Sequence, residues 1–170
     1  MTAVTLEIGA VVIPEYARLG LEQVYEPVEG AAVLRAADGT AVKQSTWTKL
    51  RTVITGTGWI PEGLASLDWS VAQTMKGAAP RSVWSTSNTI TVPAARRSDV
   101  AVRGYGIVDG VPVETNVTMS VDTATLDPVT GATSYYVLYW PQFQAFFSPP
   151  QQQIDVTGAA VRWRLVGEEV

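Results

Sequence analysis

Apolar and polar residues alternate over short stretches of this chain, with glycine, proline or aspartate breaking the pattern about every ten positions. No long stretch carries apolar residues at helical spacing, so the pattern predicts an all-β protein with strands of about four to eight residues. The richest stretch is 47–69. From Trp47 to Ile54 the side chains are aromatic, β-branched or long and basic, which suits a pleated, half-buried surface. Thr55-Gly56-Thr57-Gly58 then predicts a turn or bulge, because glycine tolerates positive φ and the close approach of another chain. Pro61 has a helix-compatible φ and lacks an N–H that a first helical turn would leave unpaired. A short helix is therefore expected over 61–67, with Leu64 and Leu67 on one face.

Ahead of this stretch, residues 5–13 predict a strand with Leu6 and Ile8 opposite Glu7, ended by Pro14. Residues 18–25 predict a second, with a helix over 16–23 as the alternative, and Glu26-Pro27-Val28-Glu29-Gly30 should break it. Strands over 31–36 and 41–47 flank Asp38-Gly39, a pair that predicts a hairpin turn with both residues at positive φ. A strand over 70–75 should return along the same sheet, and Lys76 to Pro80 reads as a boundary. Beyond it come shorter alternations at 87–92, 100–108, 111–115, 117–121 and 124–126. Their tips are Asp109-Gly110 and Val121-Asp122-Thr123, followed by a loop over 127–131. The run from Tyr135 to Trp140 is large and apolar on both faces, which predicts a central strand. A strand over 143–147 and an exposed connector over 148–153 follow. In the last strand, 159–166, Val161, Trp163 and Leu165 face one way and Arg162 and Arg164 the other, and this strand should close the sheet of the first half. The expected architecture is a β-sandwich or barrel-like core from 1–78 plus 143–170, with 79–142 an inserted or appended small β lobe.

Composition adds exclusions. Hydrophobic residues make up 46% of the 170 and charged residues only 16%, which leaves little charge to cover a monomer, so part of the surface should be buried in partners. A net charge of −4 without a run of Lys or Arg excludes a phosphate-tracking surface, so no nucleic-acid specificity is expected. The absence of cysteine excludes thiol chemistry, and the absence of histidine removes the commonest general base and metal ligand together. No catalytic residue, cofactor or metal is expected, and the chain reads as no enzyme. The N-terminus lacks a basic segment followed by an apolar core, and no apolar run reaches the ~20 residues of a membrane helix. The expectation is a soluble, unexported protein without a membrane partner.

The remaining candidates each meet a simpler structural reading. Thr55-Gly56-Thr57-Gly58 lacks the Lys-Ser/Thr ending of a phosphate loop, and a tryptophan stands where a helix should open. Asn116-Val117-Thr118 matches a glycosylation acceptor without a secretory signal. Asp109, Asp122 and Asp127 lack the alternating ligands of a calcium loop and read as turn caps. Glu15, Glu22, Glu26 and Glu29 read as a solvated acidic region rather than paired acids for glycoside cleavage. Tyr135, Tyr136, Tyr139, Trp140, Phe143, Phe146 and Phe147 read first as core and second as a platform for sugars or bases. Arg96, Arg97, Arg162 and Arg164 are basic features on weakly charged strands. They are the candidate subunit contacts, able to meet acids of a neighbouring copy.

The segment from Gly39 to Trp47, continuing through Arg51 to Pro61, resembles a pattern of small virion proteins of long-tailed bacteriophages, and Gly158 to Glu169 is similar to their ending. The resemblance is nearest to tail-tip or baseplate proteins of the distal tail type. It implies a β-sandwich core in a ring beneath the tail tube, often with a second β lobe. It further implies a virion location after synthesis in the host bacterial cytoplasm, contacts with other tail proteins, and self-assembly in which a hexamer is favoured by the resemblance alone. It covers the first half and the terminal strand, leaves 79–142 unassigned, and carries no catalytic residues. Other virion positions, namely tail tube, tail terminator or capsid decoration, remain open, as does a glycan-binding adhesion module suggested by the Tyr/Trp-rich second lobe.

Overall fold

The computed structural model describes residues 4–13, 20–61, 63–157 and 160–170, and it is nearly all β and sandwich-like, as the alternation predicts. In chain order the strands are β1 (Glu7–Ile8), β2 (Val11–Val12), β3 (Glu22–Arg35), β4 (Ala41–Thr57), β5 (Gln73–Lys76), β6 (Arg81–Ser85), β7 (Thr89–Thr91), β8 (Arg103–Val108), β9 (Val111–Thr115), β10 (Val117–Ser120), β11 (Thr123–Leu126), β12 (Ser134–Tyr139), β13 (Gln142–Phe147), β14 (Gln151–Asp155) and β15 (Ala160–Glu169). Helix among the described residues shrinks to a 3-10 turn, Leu64–Ser66, because Gly63 before it is left-handed at φ 88° and Leu67 after it is already extended. Leu64 is fully buried there and Leu67 only half-buried. The chain divides into two compact units, Met1–Glu7 with Met75–Phe143 and Ile8–Thr74 with Gln144–Val170, here called the middle and terminal units. The segment ending at Glu7 groups with the middle unit, whereas the sequence had suggested that it joins the terminal one.

One eight-stranded sheet runs β2-β1-β5-β13-β15-β4-β3, with β14 also paired to β15. Several expected elements fuse in it. Strands expected over 41–47 and 47–54 are one strand of 17 residues, and β3 runs for 14 residues straight through the expected break at Glu26 to Gly30. Pro27 stays in register opposite Leu50. Because β3 is an edge strand, the position without an N–H can face outward and leave the ladder to β4 intact. The irregularity falls instead at Gly30/Ala31, where the register shifts and Thr46 Oγ1 donates to the Gly30 carbonyl at 2.8 Å.

Thr55, Gly56 and Thr57 likewise remain in β4, paired with Arg164, Trp163 and Arg162, and the turn waits for Gly58 at φ 93°. Gly56 is required by packing, since a Cβ there would lie 2.5 Å from the Trp163 indole. Under this part of the sheet Ile8, Ile13, Ile54, Leu64, Ala145, Phe147, Trp163 and Leu165 are buried, with Trp69 edge-on to Phe147 at 6.3 Å. The buried Thr52 hydroxyl is satisfied, accepting from Gln23 Nε2 and donating to the Val24 carbonyl, both at 3.2 Å. Glu22 and Gln23 are strand, and the rest of the expected helix over 16–23 lies largely outside the described residues. Residues 151–153 are exposed as expected but belong to β14. A Gln-Gln-Gln-Ile-Asp strand exposed at every position has no apolar alternation to reveal it.

The middle unit contains a four-stranded sheet, β6-β12-β8-β9, and a three-stranded sheet, β10-β11-β7. Ile90, Val92, Ala124 and Leu126 pack against Tyr135, Val137 and Tyr139 to form the core between them. β12 is central, between β6 and β8, as its apolar faces predict, while β6 itself was not expected. Asp109 at φ 51° and Gly110 at φ 79° form a primed turn that sets Val108 opposite Val111. Asp38-Gly39 does not repeat it. Only Gly39 is left-handed, at φ 86°, and the loop is longer, with the Ala36 N–H donating to the Thr40 carbonyl at 2.9 Å. The Asp38 carboxylate accepts the Thr40 N–H at 2.9 Å, and that bond holds its pKa below 3.8.

Candidate functional site

Arg162 and Arg164 lie on the polar face of β15, because the buried Trp163 and Leu165 alternate with them. The register extends that face across neighbouring strands. Glu22, Thr55, Arg164 and Gln151 form one row over β3, β4, β15 and β14, and Thr57, Arg162 and Gln153 form the next. Together with Gly20, these side chains line a groove of about 640 Å³ within the terminal unit. Neither arginine makes an ion pair with another described residue. The groove thus presents two exposed guanidinium groups among amides and hydroxyls, a surface suited to carboxylates and carbonyls of another chain.

The second feature is the distal half of the β3–β4 hairpin. β15 accompanies β4 only from Arg51 to Thr57, and before Arg51 β4 pairs with β3 alone among the described strands. Residues 31–48 are all exposed. The ribbon reaches about 25 Å beyond Gly30 at the usual rise per residue. Leu34 pairs with Val42 and Val33 with Lys43, so large apolar side chains occupy both faces, 56%, 53% and 63% exposed for Leu34, Val42 and Val33. Trp47 is 49% exposed. Within the ribbon, Lys43 pairs with Glu29, and Arg35 donates to the Gly39 carbonyl at 3.0 Å. A two-stranded ribbon is marginal by itself in water. The sequence pattern gave the hairpin but not its projection. The available signal was the weak alternation of Ala31-Ala32-Val33-Leu34, which commits neither face to a core.

Arg96 and Arg97 are placed differently from Arg162 and Arg164. Arg97 is 3% exposed, an internal brace rather than a surface contact. Its Nε and Nη2 reach the Asp99 carboxylate at 3.0 and 2.8 Å, its Nη1 donates to the Gly77 carbonyl at 3.1 Å and to that of Thr5, and Nη2 lies 3.5 Å from Glu7. Hydrogen bonding to Arg97, with the positive charges of Arg97 and Lys76, holds the Asp99 pKa below its ordinary value. Arg96 clamps the β10–β11 tip, with Nη1 2.7 Å from both Asp122 Oδ1 and the Pro93 carbonyl, and Nη2 2.6 Å from the Val121 carbonyl. These contacts of both arginines lie inside the middle unit.

The other sequence candidates are dispersed. Asp122 serves Arg96, and Asp127 accepts from Asn116 Nδ2 at 3.1 Å. No cluster of three or more metal-ligating side chains occurs among the described residues. Tyr135, Tyr139, Trp140, Phe143 and Phe147 are buried, while Phe146 is exposed, so this aromatic set is mainly core. No protein-family model matches the sequence, and comparisons with curated proteins and with solved structures find no significant match.

Proposed function

We propose that the chain is a structural subunit of a bacteriophage tail, a ring-forming tail-tip or baseplate protein of the distal tail type that joins tube to tip. The observation that carries the reading is the arm: residues 31–48 are exposed on both faces yet carry Val33, Leu34, Val42 and Trp47. Such an element is stabilised by docking, and in a closed ring each copy gives an arm and receives one. The groove around Arg162 and Arg164 supports the same reading, since it offers charge that could fix the register of a neighbour. Resemblance over Gly39 to Trp47, Arg51 to Pro61 and Gly158 to Glu169 supplies the tail. No catalytic role is part of the proposal.

The test is location. Antibody labelling and imaging of phage particles that contain this chain should show it as a ring of like neighbours at the distal end of the tail tube. Label along the tube or on the capsid would move the chain to another virion position. Isolated single copies, or absence from particles, would overturn the reading.

A further inference from the structure

Cross-strand register in the four-stranded sheet of the middle unit builds a feature that no single stretch of sequence contains. Tyr136 of β12 is directly opposite Trp84 of β6 on one side and Tyr105 of β8 on the other, and Tyr105 is opposite Glu114 of β9. Direct partners share a face, so these four side chains form one row across all four strands. The row faces outward, because the alternate residues Tyr135 and Val137 point into the core. Tyr105 and Tyr136 stack with centroids 4.9 Å apart and planes 13° from parallel. Trp84, next in the row, is 63% exposed. On the same face, one row along, lie Ser82, Leu138 and Arg103.

A stacked tyrosine pair is a common way to reinforce a sheet and needs no ligand. Trp84 does not fit that explanation. The largest apolar side chain is left mostly in water on a flat face, beside two rings already aligned, with a carboxylate closing the row. This makes an aromatic strip with polar margins about two strand spacings long, roughly 10 Å. A ligand that fits has flat apolar faces and polar edges, which describes pyranose rings and nucleobases alike. Charge decides between them. The net charge is −4, the row ends in Glu114, and Arg103, the cation on the adjacent row, reaches over the Trp140 ring at 5.9 Å. A surface that neutralises no phosphates and presents a carboxylate disfavours nucleic acid. That carboxylate can accept hydrogen bonds from sugar hydroxyls.

We propose that the outward face of this sheet is a binding site for a neutral glycan, with sugar rings stacking on Trp84, Tyr136 and Tyr105 and Glu114 accepting hydroxyl hydrogen bonds at one end. The site spans about two hexose units. It lies wholly within the middle unit and stands whether or not the chain is a tail protein.

The test uses the full-length chain on an array of neutral oligosaccharides, including cellohexaose, maltohexaose and chitohexaose, with oligo-dT as the nucleobase probe. The best glycan is then titrated by calorimetry against variants. Binding of at least one neutral glycan is expected, with Trp84→Ala weakening it at least tenfold, Trp84→Phe less, and Glu114→Gln by a smaller factor. Trp59→Ala, which removes an exposed tryptophan of the terminal unit, should leave affinity unchanged. Melting curves show whether Trp84→Ala is folded, and ligand-induced NMR shifts confined to Trp84 and the two tyrosines in the unaltered chain locate the site independently of any variant. Failure of every neutral glycan to bind, unchanged affinity in folded Trp84→Ala, ligand-induced shifts elsewhere, or a preference for oligo-dT would each overturn the proposal.

Discussion

Val121 shows how single residues in this chain depend on their neighbours. At the tip between β10 and β11 it holds φ 52° while its side chain is 85% exposed, so strain is present without packing to offset it. A left-handed conformation costs a residue with a Cβ about 1–2 kcal/mol, and β-branching makes it worse. The Arg96 guanidinium, bound to the Val121 carbonyl and to Asp122, holds the tip in place. Val121→Asn, a residue that tolerates this region, should raise stability by about 1 kcal/mol, an increase of roughly 2–4 °C in melting temperature for a chain of this size. Calorimetry checks it, and an unchanged or lower midpoint would mean that the valine is not strained. Asp99 gives the pH counterpart. Its pKa is lowered in the folded state, chiefly by its bonds to Arg97, so it stabilises the fold above the ordinary aspartate value of 3.8 and loses that contribution as pH falls through the folded value. Asp99→Asn should therefore lower the melting temperature near neutral pH, and the gap to the unaltered chain should close in strongly acid solution. Because the Asp99 side chain is 44% exposed, the effect should be small, on the order of 1 kcal/mol after solvent screening. A gap independent of pH would mean that the charge of Asp99 contributes nothing to the difference.

Among the elements, legibility in the sequence followed local chemistry. Asp109-Gly110 was readable because both residues accept the positive φ of a primed turn, and the faces of β15 were readable because Trp163 and Leu165 alternate with two arginines. β14 and β6 were not expected: β14 is exposed at every position, and β6 alternates weakly. The length of β3 was hidden by Pro27, whose tolerance depends on the strand lying at an edge, a fact of topology rather than composition. The Trp84, Tyr136 and Tyr105 row was invisible for the same reason, since its members meet only through register. The arm carries the prediction at this scale. Replacing residues 31–46 by Asn-Gly, which joins Gly30 to its register partner Trp47 across a two-residue turn, removes exposed ribbon only. Stability should stay within about 1 kcal/mol of the original, as for surface changes generally, while assembly is lost. Denaturant unfolding of the purified chain and incorporation into tails report the two quantities separately. A shortened chain that unfolds would show that the arm supports its own unit, and one that still assembles would remove the arm from the interface.

At the scale of the whole molecule, hydrophobic residues far outnumber charged ones, and among the described residues several strands that end the sheets, β3 among them, pair on one side only. Open edges left to themselves pair without limit, whereas a closed cyclic assembly gives each one a defined neighbour. Within that reading Arg162 and Arg164 are the contacts to test first, because they face the groove exposed, while Arg97 is buried and Arg96 is bound to its own tip. Reversing both to glutamate should leave the stability unchanged within about 0.5 kcal/mol, as neither side chain is packed. Assembly should weaken sharply, since carboxylates set against the acids of a neighbour repel where the guanidinium groups attracted. The double glutamine variant should fall between the two and separates lost attraction from new repulsion. Assembly is read by incorporation into tails when the variant replaces the original chain, because a subunit that needs a tail as template can be monomeric in solution. If the glutamate variant is incorporated as well as the original, the groove does not face a neighbouring subunit, and the arm alone is left to make the ring.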